Sequence, residues 1–374
     1  MRLPSFNELV PEQHAVYDSL PDESILVVGP PGSGKTSMAI WRARLLVSPE
    51  LRRRVVLITR NRLLSAVAEQ LARENEGAEI RSTTMHSYLS KEYYQRFGEY
   101  VPKASRYDPY EPDWQEVFRK YDEVQAQPDL DHLIIDEGQN LPVEFIIWAV
   151  RYKARAVSVF ADEHQSTSNA GCRISDLAAA GFREALVLTM NHRNTQEIAD
   201  VIAHFHTDRL LPTATPRRGS GFDRPNLVAM SSWESLADTV ATRLENRAES
   251  IGVIVFNTHH VEHLAYLLRQ RLPQARVDSY INSDAPGAER AIQMRDHGIT
   301  ILSGESAIGL EFDTLYLQDL TRSLPPLEPL QTRRLYMLCA RARDKLVLIN
   351  GPAGVGVLSA RQLTSLPPNP ILEQ

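Results

Sequence analysis

A short apolar run followed by a glycine-rich turn constrains this chain more than any other feature. Ile25–Val28 is apolar, Gly29–Thr36 reads Gly-Pro-Pro-Gly-Ser-Gly-Lys-Thr, and the helix-like stretch Ser37–Val47 follows. The turn fits the pattern G-x-x-x-x-G-K-[ST], in which glycines let backbone N–H groups face phosphate oxygens and the next helix adds the positive end of its dipole. The stretch therefore predicts a strand, a phosphate-binding loop and a helix.

This pattern assigns the phosphate contacts to six consecutive residues: Gly32, Ser33, Gly34, Lys35, Thr36 and Ser37. The Lys35 ammonium is expected to reach the β- and γ-phosphates of a nucleotide, and the Thr36 hydroxyl to hold Mg²⁺.

A second strand pattern ends in two carboxylates. The apolar residues Leu133–Ile135 run directly into Asp136 and Glu137. In a phosphate-loop protein, we expect Asp136 to hold Mg²⁺ through water and Glu137 to orient and deprotonate the attacking water.

The overall composition restricts the classes of partner. The chain has 374 residues, 43% of them hydrophobic, and a net charge of -6, so any binding of nucleic acid must come from a local groove rather than from a general basic field. Only two cysteines occur, which makes a disulfide framework or a zinc site unexpected and favours a reducing cytoplasm. No apolar run approaches the roughly 20 residues of a membrane span, and the first residues lack the apolar core of a signal peptide.

Strand and helix patterns alternate along the chain, which predicts an α/β fold with parallel strands and active residues at their carboxyl ends. The first alternation ends near residue 190. Residues 207–226 are expected to form a surface crossover. A second alternation begins at Ile251, and a helix is predicted in it for Gln331–Arg343. The tail, Pro367–Gln374, is expected to be loosely held.

Residues 88–121 differ in composition from the rest. They hold ten of the chain's 27 aromatic residues, with lysines and arginines between them, and their prolines exclude one long helix. This predicts a small inserted subdomain. Its rings either stack on single-stranded bases or form a compact aromatic core.

Nine segments follow one another in an order that resembles superfamily 1 helicases of the UvrD/Rep type. They are Gln13, Gly29–Thr36, Thr59–Arg62, Thr84–Ser87, Asp136–Gln139, Asp162–Gln165, Asn191–Arg193, Ser306–Phe312 and Tyr336–Arg343. The resemblance covers about residues 6–350.

The resemblance implies two RecA-like parallel-sheet domains that clamp ATP and Mg²⁺ between them. The first is expected at 1–190, with an inserted aromatic-rich subdomain at about 88–128, and the second at 191–374. The implied roles of further residues are adenine reading by Gln13, ribose binding by Glu311, γ-phosphate sensing by Gln139 and Gln165, and arginine fingers at Arg193 and Arg341.

Several residues depart from the family pattern on the side that contacts the strand. Arg60 stands where the family usually has a stacking aromatic, no aromatic follows Gln165, and Glu305 and Ile308 replace a histidine and a lysine. A base stacked on an aromatic ring contributes typically ~1–3 kcal/mol, so these changes weaken the expected grip.

Two functions therefore remain open. One is an ATP-hydrolysing helicase or translocase on single-stranded nucleic acid, with DNA expected rather than RNA. The other is an ATP-switched subunit of a larger complex with a nuclease or effector partner, which has little unwinding activity of its own.

Overall fold

The computed structural model describes residues 2–74, 77–105, 110–162, 174–182, 184–205, 215–216, 219, 221, 223–294, 297–318, 320–352 and 356–374. The chain divides into two compact units. The first unit comprises Leu3–Gly29 and Lys35–Leu188, and the second comprises Met1–Arg2, Pro30–Gly34 and Thr189–Gln374. Among the described helices, none is long and apolar enough to cross a membrane.

The first unit is built on a six-stranded sheet. Its strands are β1 (Ile25–Val28), β2 (Val55–Thr59), β3 (Arg81–Thr84), β4 (Leu130–Ile135), β5 (Ala154–Ala161) and β6 (Ala185–Val187). Its helices are α1 (Pro11–Tyr17), α2 (Lys35–Val47), α3 (Arg62–Ala72), α4 (Met85–Phe97), α5 (Trp114–Glu123), α6 (Val143–Trp148) and α7 (Ile174–Ala179), and a π-helix spans Ala149–Lys153.

All neighbouring strands of this sheet are parallel, in the order β3-β2-β4-β5-β1-β6. Because parallel strands end at one edge, the residues that follow β1, β5 and β4 are brought side by side. These are Gly29, where the phosphate loop begins, Asp162 and Asp136.

The second unit contains a parallel six-stranded sheet with the order β11-β12-β10-β13-β14-β9. Its strands are β9 (Asn226–Ala229), β10 (Ser250–Val255), β11 (Val277–Tyr280), β12 (Gly298–Ser303), β13 (Phe312–Leu317) and β14 (Ala342–Asn350), and β7 (Met190–Asn191) pairs separately with β8 (Thr215–Pro216). Its helices are α8 (Gln196–His204), α9 (Trp233–Asn246), α10 (His259–Arg271), α11 (Pro329–Cys339) and α12 (Ala360–Leu363). The predicted α/β architecture of parallel sheets is therefore confirmed.

The aromatic segment, residues 88–121, contributes rings to the buried core of the first unit and does not form a separate layer of exposed rings. Tyr88, Tyr93 and Tyr121 are each 1% exposed and belong to the same buried cluster as sheet residues such as Leu133. The exposed rings of this segment include Tyr94, Tyr100 and Tyr110. Most of the described aromatic rings here thus stabilise the first unit, and few remain for stacking on bases. The proposed limits of the subdomain, about 88–128, stay a prediction.

Two expectations about the second unit are wrong. The helix predicted for Gln331–Arg343 ends at Cys339, because Ala342 enters the sheet opposite Phe312 and its backbone joins a strand. The tail is held in place: the Glu373 carbonyl accepts a hydrogen bond from the Leu227 N–H at 2.7 Å, and Leu372 is fully buried.

Candidate nucleotide-binding site

Lys35 lies in the first turn of α2 and is almost fully buried. Its Nζ donates a hydrogen bond to the Gly29 carbonyl at 2.6 Å and lies 3.5 Å from the Asp162 Oδ2. Lys35 is 7% exposed and Asp162 is 2% exposed. The lysine is therefore fixed between the ends of β1 and β5, and Asp162 joins the site although the sequence assigned it no contact of its own.

Thr36 and Asp136, 100 residues apart in the chain, meet directly. The Thr36 hydroxyl donates a hydrogen bond to the Asp136 Oδ2 at 2.8 Å. Burial, followed by the charge of the neighbouring Glu137, raises the pKa of Asp136 well above its usual range, and the Thr36 hydrogen bond offsets this in part.

A divalent cation fits this pair chemically. A buried carboxylate whose ionised form is disfavoured is stabilised by a nearby positive charge, and Mg²⁺ prefers oxygen ligands such as this hydroxyl and carboxylate. The described residues contain no group of three or more His, Cys, Asp or Glu side chains that could hold a metal. Mg²⁺ does not require one, because it is usually bound by one or two carboxylates together with phosphates and water.

Glu137 adopts a left-handed backbone conformation that is unusual for a residue other than glycine. Its φ is 57° and its ψ is 38°, and it is only 4% exposed. Its Oε2 accepts hydrogen bonds from the Gln139 Nε2 at 2.6 Å and the Asn140 Nδ2 at 3.4 Å. Such strained residues cluster at functional sites, so this conformation agrees with the role proposed for Glu137.

Gln139 connects the two carboxylate-bearing strand ends. While its Nε2 donates to Glu137, its Oε1 accepts a hydrogen bond from the Asp162 N–H at 2.9 Å. Gln139 is 1% exposed. The glutamine thus fixes the position of the Glu137 carboxylate relative to β5, a contact that the sequence pattern did not reveal.

The phosphate loop needs its glycines for two reasons. Gly32 and Gly34 have φ angles of 77° and 90°, which side chains disfavour. A Cβ on Gly32 would also lie 2.2 Å from the Asn191 Oδ1, and the Gly32 carbonyl accepts a hydrogen bond from the His192 N–H. Ser33 is buried, and its hydroxyl donates to the Pro30 carbonyl at 2.8 Å.

Two other predicted contact residues lie in helices of the first unit. Ser37 is in the first turns of α2. Gln13 is in α1 and 4% exposed, and its Oε1 accepts a hydrogen bond from the Val10 N–H at 3.2 Å. Its reading of adenine stays a prediction, and Gln165 lies outside the described residues.

The second unit brings Arg193 and Glu311 into direct contact. The Arg193 Nε donates to the Glu311 Oε2 at 2.7 Å. Arg341 is 2% exposed, and its Nε donates to the Met337 carbonyl at 3.0 Å. Glu311 and Arg341 lie close to each other because β13 and β14 pair in parallel. This pairing places the two residues directly before the starts of neighbouring strands.

Arg60 and Glu305, which differ from the sequence pattern of the resembled family, each interact with side chains of opposite charge. Burial lowers the pKa of Arg60, and the charge of Glu137 opposes this shift. Glu305 follows β12, and its Oε1 lies 3.5 Å from the Arg322 Nη1 and 3.6 Å from the Arg334 Nη2.

One family model matches part of this chain. The model of the AAA domain family AAA_19 matches residues 12–171. No curated protein matches the sequence.

Two solved structures show limited similarity. The C-terminal domain of a possible DNA helicase from Lactobacillus plantarum WCFS1 is 22% identical; the match covers 49% of this chain and 97% of that domain, with a TM-score of 0.34. The PRRSV helicase is 15% identical; the match covers 94% of this chain and 56% of that protein, with a TM-score of 0.41. This chain thus spans about half the length of the PRRSV protein. Residues 12–171 are thus similar to the AAA domain family, and this similarity covers less than half of the chain.

Proposed function

We propose that this protein is an ATP-hydrolysing motor of superfamily 1, a helicase or translocase on single-stranded DNA. The observation that carries the proposal is the contact between Thr36 and Asp136 at 2.8 Å beside the buried Lys35. It joins the two halves of a nucleotide site that the sequence separates by 100 residues. The cysteine-poor sequence favours a cytoplasmic location for this motor.

The phosphate loop, α2 and the acidic end of β4 divide the chemistry among them. The loop N–H groups and Lys35 bind the phosphates, and Thr36 and Asp136 hold Mg²⁺, which supplies positive charge to the phosphate oxygens. Glu137, oriented by Gln139, positions the attacking water and accepts its proton.

In this proposal, Arg193 and Arg341 of the second unit stabilise the charge that develops on the transferred phosphoryl group. Such arginines act by electrostatic stabilisation and typically increase turnover about 10³–10⁵-fold. Gln13 is proposed to complete nucleotide recognition, and Gln165 to sense the γ-phosphate.

The decisive experiment measures ATP turnover by the purified protein alone and with single-stranded DNA, RNA or duplex. We expect Mg²⁺-dependent hydrolysis that single-stranded DNA stimulates, and no turnover in Lys35→Ala. Turnover that no polynucleotide changes, together with no strand binding at low salt, contradicts the motor.

Glu305 supports a second candidate, an ATP-switched subunit of a complex with a nuclease or effector. Its carboxylate lies beside the guanidinium groups of Arg322 and Arg334 and offsets positive charge that a phosphate backbone would need. A subunit of this kind closes on ATP but unwinds little by itself. Efficient unwinding of a duplex by the lone protein would exclude it.

A further inference from the structure

The contact between Arg193 and Glu311 is more than a surface ion pair. The Arg193 Nε lies 2.7 Å from the Glu311 Oε2, and the side chains are only 12% and 15% exposed. A second edge of the guanidinium is also engaged, because its Nη1 donates to the Ala340 carbonyl at 3.2 Å. The arginine is thereby held by two chain segments that lie far from it in sequence.

The backbone that carries Arg193 is itself fixed to β14. The Asn191 Oδ1 accepts hydrogen bonds from the N–H groups of Arg193 and Asn194, at 3.0 and 3.1 Å. The Asn194 Nδ2 in turn donates to the carbonyls of Ala340 and Ala342. Because the turn and the strand are joined in this way, the remaining freedom of Arg193 lies mainly in its side chain.

Glu311 is suited to restrict that side chain. Burial alone raises the pKa of Glu311, but the positive charge of Arg193, with a smaller contribution from Arg343, outweighs it and the pKa is lowered overall. The carboxylate therefore stays ionised next to the guanidinium. A charge-assisted hydrogen bond of this kind is stronger and more directional than a neutral one.

We infer that Glu311 is a positioning residue for Arg193: its carboxylate orients the guanidinium for the phosphoryl group, and ribose binding is not its principal role. This inference rests on the proposed function, in which Arg193 acts on the nucleotide. It predicts that Glu311 variants lose turnover through Arg193 and not through weaker recognition of the sugar.

The test is a double-mutant cycle with Glu311→Gln, Arg193→Ala and the double variant. Turnover and KM are measured with ATP, 2′-deoxy-ATP and 3′-deoxy-ATP. We expect Glu311→Gln to lower kcat about 10–100-fold, which corresponds to the loss of one hydrogen bond to a charged group. The loss should be equal for the three nucleotides, and Glu311→Gln should have no further effect in the Arg193→Ala background.

Opposite results would overturn the inference. If the Glu311→Gln defect appears as a raised KM, disappears with the deoxynucleotides and persists in the Arg193→Ala background, Glu311 is a ribose ligand.

Urea unfolding of the same four proteins tests the pair independently of turnover. We expect the shifts in unfolding midpoint of the two single variants to be non-additive in the double variant. Strictly additive shifts would refute an interaction between Arg193 and Glu311. Failure of the proposed function has a different signature, namely no ATP turnover by the wild type while the unfolding cycle still shows the coupling.

The same unit offers a matched control. The Arg243 Nε lies 2.6 Å from the Glu249 Oε1, and these side chains are 17% and 10% exposed. Glu249→Gln removes an ion pair of comparable geometry just before β10, where Glu249 also accepts a hydrogen bond from the Thr314 hydroxyl at 2.8 Å. It should lower the unfolding midpoint and leave kcat unchanged, whereas a kcat loss as large as that of Glu311→Gln would mean that both effects are structural.

Discussion

Replacing Gly138 by alanine would place a methyl group against the centre of the first unit's sheet. Gly138 stands between Glu137 and Gln139, and a Cβ built on it lies 2.6 Å from the Val159 Cγ1. Val159 is fully buried on β5, where it pairs with Ile135 on one side and Leu26 on the other. The clash therefore falls on a side chain that has no free space.

The size of the effect follows from this distance. Carbon atoms in contact are normally about 3.5–4.0 Å apart, so either side of the contact must move by about 1 Å. The β-branched Val159 has few rotamers available, and overpacking of this kind costs about 1–3 kcal/mol of stability. If the turn moves instead, the Glu137 carboxylate is displaced, and a shift of about 1 Å can lower turnover about 10²-fold.

The assay combines urea unfolding with ATP turnover for Gly138→Ala, Val159→Ala and the double variant. Val159→Ala alone removes two methyl groups and should cost about 2 kcal/mol. In the double variant the new methyl group occupies the vacated space, so both stability and turnover should exceed the values that additivity predicts.

Gly219→Ala is the matched control, because a Cβ there meets no atom of the described residues within 4 Å. Its stability and turnover should equal those of the wild type. The reasoning is refuted if Gly138→Ala behaves like this control, or if Val159→Ala does not improve Gly138→Ala at all.

Three further changes test separate parts of the structure. Glu137→Gln should retain ATP binding but lower single-turnover hydrolysis about 10²–10⁴-fold, the usual contribution of a general base, and unchanged hydrolysis would exclude that role. Burial lowers the pKa of His132 to about 3, with its Nδ1 3.0 Å from the Pro21 carbonyl and its Nε2 2.7 Å from the Ser158 hydroxyl. Below pH 6.5, His132 takes up a proton in the unfolded chain but not in the folded protein. The free energy of unfolding therefore keeps its full His132 contribution above pH 6.5 and is lower by about 2 kcal/mol at pH 5. Urea unfolding at pH 8 and pH 5 should show this loss in the wild type but not in His132→Gln, and an equal loss in both would contradict the assignment. Glu305→Gln should tighten binding of single-stranded DNA at low salt by up to about fivefold, because the ion pairs of Glu305 compete with phosphate for the two arginines. Fluorescence anisotropy measures this binding, and equal or weaker binding by the variant would disprove the competition.

Sequence patterns were most informative where the chemistry is local. The phosphate loop and the carboxylates at 136 and 137 each occupy a few consecutive residues, and a parallel sheet brings their strand ends to one edge. Their proximity therefore follows from the strand pattern, and the Thr36–Asp136 hydrogen bond agrees with it. The helix predicted to include Arg341 was wrong for a complementary reason: its last residues look helical locally, but strand pairing with β13 provides their backbone hydrogen bonds.

The aromatic segment shows a second limit of sequence analysis. Composition alone cannot separate rings that stack on a ligand from rings that fill a core, because both uses require the same side chains. Burial of Tyr88, Tyr93 and Tyr121 against the sheet assigns these rings to the core, while Tyr94 and Tyr100 remain exposed.

By itself, then, the sequence determined the α/β class, the phosphate loop and the acidic strand end that accompanies it, because each depends on residues that are neighbours in the chain. Tertiary structure alone decided what holds those groups in place. Gln139 links Glu137 to Asp162, and Glu311 holds Arg193 from 118 residues away. Contacts of this kind depend on strand order and on the path of connecting loops, and no local pattern of residues encodes them.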